Sequence, residues 1–327
     1  MTIHKPVLLK EAVELLNLKN GDIVVDATLG GGGHSIEILQ SVGEKGRLVA
    51  IDMDEAAIER FKSKIKNQKS KFWKNVFLIN RNFADLENIL GELKIEKVNA
   101  VLADLGWSSD QLQGRGMSFM KDEPLDMRLN RDQENTAKKI VDGYSQKELE
   151  RILKEYGEEK FARNIARNII EYRKNKTIET TRELAEIIEK TIPKRFQKAG
   201  INLATRTFQA LRIEVNNELE NLEKFIPLAI EVLAPEGRLV VISFHSLEDR
   251  IVKNIFRQNA RGCICPNDFP ECRCGKSPKI KIITKKPIIP EENELKINPR
   301  SRSAKLRICE KISTNYESST NIRITNK

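Results

Sequence analysis

Asp26-Ala27-Thr28-Leu29-Gly30-Gly31-Gly32-Gly33-His34 follows directly on the apolar run Ile23-Val24-Val25. Glycine has no Cβ, so a turn of this kind lets backbone approach a ligand and adopt φ > 0. Between a first strand and its helix, such a turn is where open α/β sheets hold nucleotide-like cofactors. A second acidic residue, Asp52, closes the run Arg47-Leu48-Val49-Ala50-Ile51 and stands 22 residues after Gly30. At the end of a second strand, a carboxylate about 20 residues beyond the glycines accepts from both vicinal hydroxyls of a ribose. A third, Asp104, closes Val98-Asn99-Ala100-Val101-Leu102-Ala103 and precedes Leu105-Gly106. Two cofactor classes remain at this point, a nicotinamide dinucleotide and S-adenosylmethionine. The dinucleotide fingerprint G-x-G-x-x-G needs a third glycine that packs helix against strand. Counted from Gly30, that place falls on Ser35, so the loop suits a sulfonium cofactor without a pyrophosphate better.

The elements that must carry these residues alternate. A lead-in helix is expected over 7–16. Strands are expected at 23–26, 47–52, 76–79 and 98–104, with helices at about 35–42, 55–69 and 84–93. Alternation at this spacing predicts a parallel sheet with right-handed crossovers. It stops after Asp104. Residues 106–128 read as loop, and 145–211 as almost wholly helical, with capping signals at Ser145/Glu148 and Thr180/Glu183. The βα pattern resumes with a turn at Ala234–Gly237 and a strand at Arg238–Ser243, and Ile280–Ile283 and Leu306–Cys309 supply a final antiparallel pair. The expected organisation is an α/β domain of residues 1–112 and 212–315, an inserted helical domain of 113–211, and a frayed tail from 316 to 327. An insertion leaving the tip of the fourth strand hangs over the ligand site, where a substrate-gripping domain belongs.

The chain has 327 residues and a formal net charge of +10, a balance that suits a polyanionic partner or a generally charged surface. Residues 276–307 hold ten Lys/Arg against three Glu. No apolar run reaches the roughly 18–20 residues of a membrane span, and the N-terminal residues lack a signal-peptide core, so a cytoplasmic protein is expected. Four of the five cysteines cluster as Cys263-x-Cys265 and Cys272-x-Cys274. They read either as a structural zinc knuckle, with spacing tighter than the usual C-x₂₋₄-C, or as a reduced loop. No metal is expected in catalysis.

Longer strings carry a resemblance. They include Asp104-Leu105-Gly106-x-Ser108-Ser109-x-Gln111-Leu112, Pro124-Leu125-Asp126-Met127-Arg128, Tyr156-Gly157-Glu158-Glu159 and Thr205-Arg206-Thr207-Phe208-Gln209-Ala210-Leu211-Arg212-Ile213. Ser243-Phe244-His245-Ser246-Leu247-Glu248-Asp249-Arg250 and Asn298-Pro299-Arg300-Ser301-Arg302-Ser303-Ala304 complete the set. From residue 4 to about 311 the chain resembles the bacterial 16S rRNA cytosine-N4 methyltransferase family, RsmH or MraW. The resemblance implies a class I, Rossmann-like methyltransferase domain with a helical insertion. It implies S-adenosylmethionine as donor and the N4 amine of one cytidine in the decoding region, at the ribosomal P site, as acceptor. Carried over by motif, the cofactor contacts are Gly32, Gly33, His34, Asp52, Phe83, Asp104 and Gln111. The sequence departs from the family pattern at Trp107, Asp110 and Asn202-Leu203-Ala204, which leaves the shape of the substrate pocket open.

In-line methyl transfer needs alignment above all, and proximity and orientation contribute about 7–11 kcal/mol. Asp104 and Ser108 are the candidate acceptors around the reacting amine, although Asp104 is equally suited to be taken up wholly by the cofactor. His34 either caps the loop or contacts the cofactor. His245 is a candidate proton acceptor, as histidine side chains often are, or a structural hydrogen-bonding residue. Arg163, Arg167, Arg206 and Arg212 in the insertion, and Arg300 and Arg302 beyond it, are candidate phosphate contacts. The expected partner is 16S rRNA within the small ribosomal subunit, with no membrane. Two other classes stay in view: a nicotinamide oxidoreductase and a non-catalytic assembly factor that kept the fold.

Overall fold

The computed structural model describes residues 5–66, 74–107, 114–197, 202–266, 269 and 273–313. The chain packs as two compact units, one drawn from Ile3–Gly106 and Asn221–Lys327, the other from Trp107–Glu220. In chain order, the first stretch runs α1 (Leu9–Leu15), β1 (Ile23–Asp26), α2 (Gly33–Val42), β2 (Arg47–Ile51), α3 (Glu55–Lys66), β3 (Val76–Ile79), α4 (Leu86–Glu92) and β4 (Val98–Asp104). Then come α5 (Ala137–Gly143), α6 (Gln146–Glu155), α7 (Ala162–Arg173), α8 (Thr181–Thr191) and α9 (Thr205–Asn216). Last are α10 (Glu218–Val232), β5 (Leu233–Ser243), α11 (Ser246–Ala260), β6 (Ile280–Ile282), α12 (Glu292–Ile297) and β7 (Lys305–Lys311).

The first unit is a seven-stranded sheet in the order β3-β2-β1-β4-β5-β7-β6. β1 to β5 are parallel, while β7 runs antiparallel between β5 and β6. This is the expected Rossmann-like α/β class. Successive strand side chains face opposite sides, so Val25, Val49 and Val101 pack under α4, α10 and α11, while Val24, Leu48 and Leu102 pack under α1, α2 and α3. A sheet covered on both faces needs continuous apolar runs, which is why these strands are legible without alternation. β1 lies between β2 and β4, so the chain changes direction across the sheet there. A ligand belongs at the carboxyl ends of strands flanking that point.

Several boundaries differ from expectation. Glycines 32 and 33 join the helix start, since α2 begins at Gly33 with Gly32 as its left-handed cap. β5 begins at Leu233, but its pairing jumps from Val98↔Leu233 to Ala100↔Arg238, with Glu236 at φ 64°, so the expected turn survives as a bulge inside the strand. α5 has no counterpart in the expected pattern; Thr136 caps it by accepting from the Lys139 N–H. The expected division between 211 and 212 falls inside α9, which belongs whole to the helical unit, and the packing divides after Glu220. The expected end of α3 at 69 and the tail from 316 lie outside the described residues.

In the helical unit, Leu149, Ile152 and Leu153 of α6 share a core with Ile165 and Ile169 of α7 and Leu184 and Ile188 of α8. Two of the strings that carry the resemblance meet there. A Cβ on Gly157 would stand 2.7 Å from the carbonyl oxygens of Leu153 and Arg206, so α6 and α9 approach at backbone distance. Asn216 of α9 clamps the Pro124–Arg128 string, donating to the Met127 carbonyl and accepting from the Leu129 N–H. No described helix is long and apolar enough to cross a membrane.

Candidate functional site

The carboxyl ends of β1, β2 and β4 each place one carboxylate beside the glycine loop, Asp26 and Asp52 buried and Asp104 half-buried. Asp26, at the end of β1, accepts from the Thr28 N–H at 3.1 Å and from the Ser35 hydroxyl at 2.6 Å. Burial pushes its pKa up. Asp52 follows β2 and ties it to the loop: Oδ2 accepts from the Gly30 N–H and Oδ1 from the Asp54 N–H, both at 2.8 Å. Burial raises the Asp52 carboxyl to about 6, against the two N–H bonds that lower it. The Asn80 amide at the end of β3 donates to the Asp52 carbonyl at 2.9 Å and holds the two tips together.

Asp104 ends β4. Its N–H donates to Thr28 Oγ1 at 2.6 Å, and its Oδ1 accepts from the Gly106 N–H at 3.2 Å. Burial raises the carboxyl to about 7, with the Glu248 charge adding to the rise. His34, in the first turn of α2, faces it: Nδ1 lies 3.6 Å from Asp104 Oδ2, and Nε2 lies 3.2 Å from the Val7 carbonyl. A carbonyl only accepts, so Nε2 carries the proton. Burial lowers the pKa of His34. At 3.6 Å, Nδ1 stands beside Asp104 beyond hydrogen-bond distance.

The glycines have separate reasons. A Cβ on Gly32, at φ 72°, would stand 2.2 Å from the Phe61 ring, and one on Gly33 would stand 2.1 Å from Pro6 Cγ. Gly30, at φ 51°, faces open space, its nearest neighbour being the Thr28 carbonyl at 3.9 Å. Gly32 and Gly33 therefore let the loop pack down, while Gly30 leaves room above it.

Phe83 lies in the 3₁₀ turn Phe83–Asp85 after β3 and is half-buried. Its ring meets Phe225 edge-on, with centroids 4.9 Å apart. His245 precedes α11, where Glu248 Oε2 accepts from the N–H groups of both Phe244 and His245. Its ring is 10% exposed and Nε2 lies 3.1 Å from Glu248 Oε1, yet neither ring nitrogen makes a well-directed hydrogen bond. Phe244 packs where a Cβ on Gly106 would be, 2.7 Å from that atom, and so joins the β4 and β5 tips. Beyond them, Phe244, His245, Ile289, Arg302 and Lys305 line a cavity of about 270 Å³.

The structure thus brings Gly32, Gly33, His34, Asp52 and Asp104 to one edge of the sheet. Ser108 and Gln111 lie outside the described residues, as does Cys272. Arg163, Arg167, Arg206, Arg300 and Arg302 are exposed. Arg212 departs from its expected role as a phosphate contact: it is half-buried, makes two 2.8 Å bonds to Glu218 and stacks 5.0 Å over Trp107. Sequence reasoning passed over Asp26 and Glu248 as members of the site. Asp26 had a local signal, an acidic residue closing a strand before a glycine loop. Glu248 had only its place three residues after His245.

Comparison with known proteins agrees with this geometry. The MraW methylase family model matches residues 1–312. Proteins named ribosomal RNA small subunit methyltransferase H from Clostridium botulinum, strains Kyoto and Loch Maree, are each 53% identical over 311 residues, covering 94% of this chain and 99% of theirs. The protein of that name from strain 657 is 52% identical with the same coverage. With the match running through both units and through every strand tip described above, this chain belongs to the MraW methylase family.

Proposed function

We propose that this protein transfers the methyl group of S-adenosylmethionine to the exocyclic N4 amine of a cytidine in the decoding region of 16S rRNA. The observation that carries the reading is the convergence of buried Asp52 and half-buried Asp104 with the glycine loop at the β1/β4 switch point. The name of the relatives, ribosomal RNA small subunit methyltransferase H, supplies the substrate class. The donor set fits the cofactor: a buried carboxylate at the end of β2 for the ribose hydroxyls, an aromatic ring after β3 for the adenine, and a Gly30 with only the Thr28 carbonyl within 4 Å of a Cβ. When bound, the sulfonium supplies an activated methyl group and a neutral leaving group.

The chain's own residues do the rest. Asp52 orients the ribose. His34 holds Asp104 from the side of α2, and Thr28 holds its backbone. Asp104, whose carboxyl is raised to about 7, accepts from the incoming amine when ionised. Ser108 and Gln111 complete the edge by motif. His245, at the β5 tip, is placed to receive the proton released from the amine, and the cavity beyond it to receive the nucleotide. The helical unit grips the RNA through Arg163, Arg167 and Arg206, and a cytidine within rRNA structure must leave its stack to react.

The test uses small subunits from a strain lacking the protein, incubated with it and tritiated S-adenosylmethionine, then digested for nucleoside mass spectrometry. Label in N4-methylcytidine of 16S rRNA, absent with Asp104→Ala, is expected from subunits and not from short naked RNA. Label on another nucleoside would keep the cofactor and overturn the acceptor.

A further inference from the structure

Three cysteines converge in the connection between α11 and β6. This stretch, residues 261–279, has no helix or strand among its described residues. Ile264 and Phe269 are about half exposed, at 50% and 45%, so burial of apolar surface does little to order it. Unstructured connections beyond about 12–15 residues are uncommon in compact domains unless they are functional or disordered. Something other than a core has to hold this one.

The sulfurs of Cys263, Cys265 and Cys274 all lie within 4.8 Å of one another. Cys263 and Cys274 are 3.8 Å apart, and none of the three is in a disulfide. A disulfide would need about 2.05 Å. Two thiolates on one zinc ion, each at about 2.3 Å and at the tetrahedral angle, stand about 3.8 Å apart. Each sulfur also accepts one backbone N–H: Cys274 from Ile264 at 3.4 Å, Cys263 from Cys265 at 3.4 Å, and Cys265 from Arg273 at 3.3 Å. Donors aimed at sulfur stabilise the thiolate, the form that binds metal. The C-x-C spacing does not strain the arrangement, because the Cys265 N–H turns back on Cys263 and both sulfurs stay on one side.

We infer that Cys263, Cys265 and Cys274 form a structural zinc site that staples the α11–β6 connection, outside the methyl-transfer site and independent of that reading. The thiol protons are released as the metal binds, so affinity rises with pH. Three ligands leave one tetrahedral position. The stapled loop carries Arg273 stacked 5.7 Å over Phe269, an exposed basic and aromatic edge.

The test takes the full chain, purified with a reductant and without chelator from zinc-supplemented cells. Elemental mass spectrometry is expected to find about one zinc per chain. Chelator-stripped wild-type protein, titrated with cobalt(II), is expected to show the visible bands of tetrahedral thiolate coordination, saturating at one equivalent and displaced by zinc. Stripping is expected to accelerate proteolytic cleavage within 261–279 only. The triple variant Cys263→Ser, Cys265→Ser, Cys274→Ser is expected to lose zinc and bands together. The stripped wild-type arm does not depend on that variant folding. Substoichiometric zinc with no cobalt band, or bands that persist in the triple variant, would overturn the site.

Discussion

Asp104→Asn separates the chemistry of the site from its cost to the fold. Burial moves the Asp104 carboxyl from 3.8 to about 7. Between those values the folded chain holds a proton that the unfolded chain has released, so stability falls as pH rises through that window. At about 1.36 kcal/mol per pH unit, the ionised group costs the fold about 4 kcal/mol above pH 7. Asparagine has nearly the same shape and never ionises. Its oxygen keeps the Gly106 N–H, and its amide donates to the His34 Nδ1 that now faces Asp104 Oδ2. The stability difference between variant and wild type should therefore grow in the variant's favour by about 3 kcal/mol from pH 5 to pH 8. Urea unfolding of both proteins at pH 5, 6, 7 and 8, without cofactor, measures it. Titrating groups that do not sense the Asp104 charge, such as Asp52, act on both proteins alike and cancel in the difference. The variant should gain this stability while losing methyl transfer. A difference that stays flat with pH, or grows in the wild type's favour, would refute the raised Asp104 carboxyl.

Further outcomes follow from the same geometry. Gly32→Ala forces a Cβ to 2.2 Å from Phe61 at φ 72°, whereas Gly30→Ala meets only open space at φ 51°. Urea unfolding should show a loss of about 1–2 kcal/mol for Gly30→Ala from backbone strain alone, and about 1–3 kcal/mol more for Gly32→Ala from overpacking. Cofactor binding by calorimetry should weaken about tenfold from pH 7 to pH 5, because Asp52, at about 6, gains a proton and one acceptor oxygen becomes a donor; an unchanged Kd would remove Asp52 from the ribose. Arg163→Glu with Arg167→Glu, two exposed positions on α7, should weaken rRNA binding and lower its salt dependence by about 0.7–0.9 for each phosphate no longer neutralised. Arg212→Ala should instead destabilise the helical unit, since its guanidinium is bonded to Glu218; unchanged unfolding with weakened RNA binding would reverse that assignment.

Local pattern settled much of this protein in advance. Apolar runs closing in Asp26, Asp52 and Asp104, with helices between them, specify a doubly covered parallel sheet, because strand period, glycine conformation and capping are properties of a few neighbouring residues. The Ser145 and Thr180 capping boxes form at the expected positions for the same reason. Long-range contacts decided the rest. That His34 faces Asp104 across 70 residues, rather than standing free in its loop, depends on β1 lying beside β4. That Gly32 and Gly33 serve packing depends on Phe61 and Pro6 arriving from other elements. The basic character of Arg212 was visible, but its capture by Glu218 was set by the turn between α9 and α10. The cysteine spacing left a zinc knuckle and a reduced loop both open, and only the fold of the chain brings the sulfurs of Cys263, Cys265 and Cys274 together. Spacing along the chain names the groups that carry chemistry; only the order of strands and the turns of loops determines which of them touch, and burial then sets their charge.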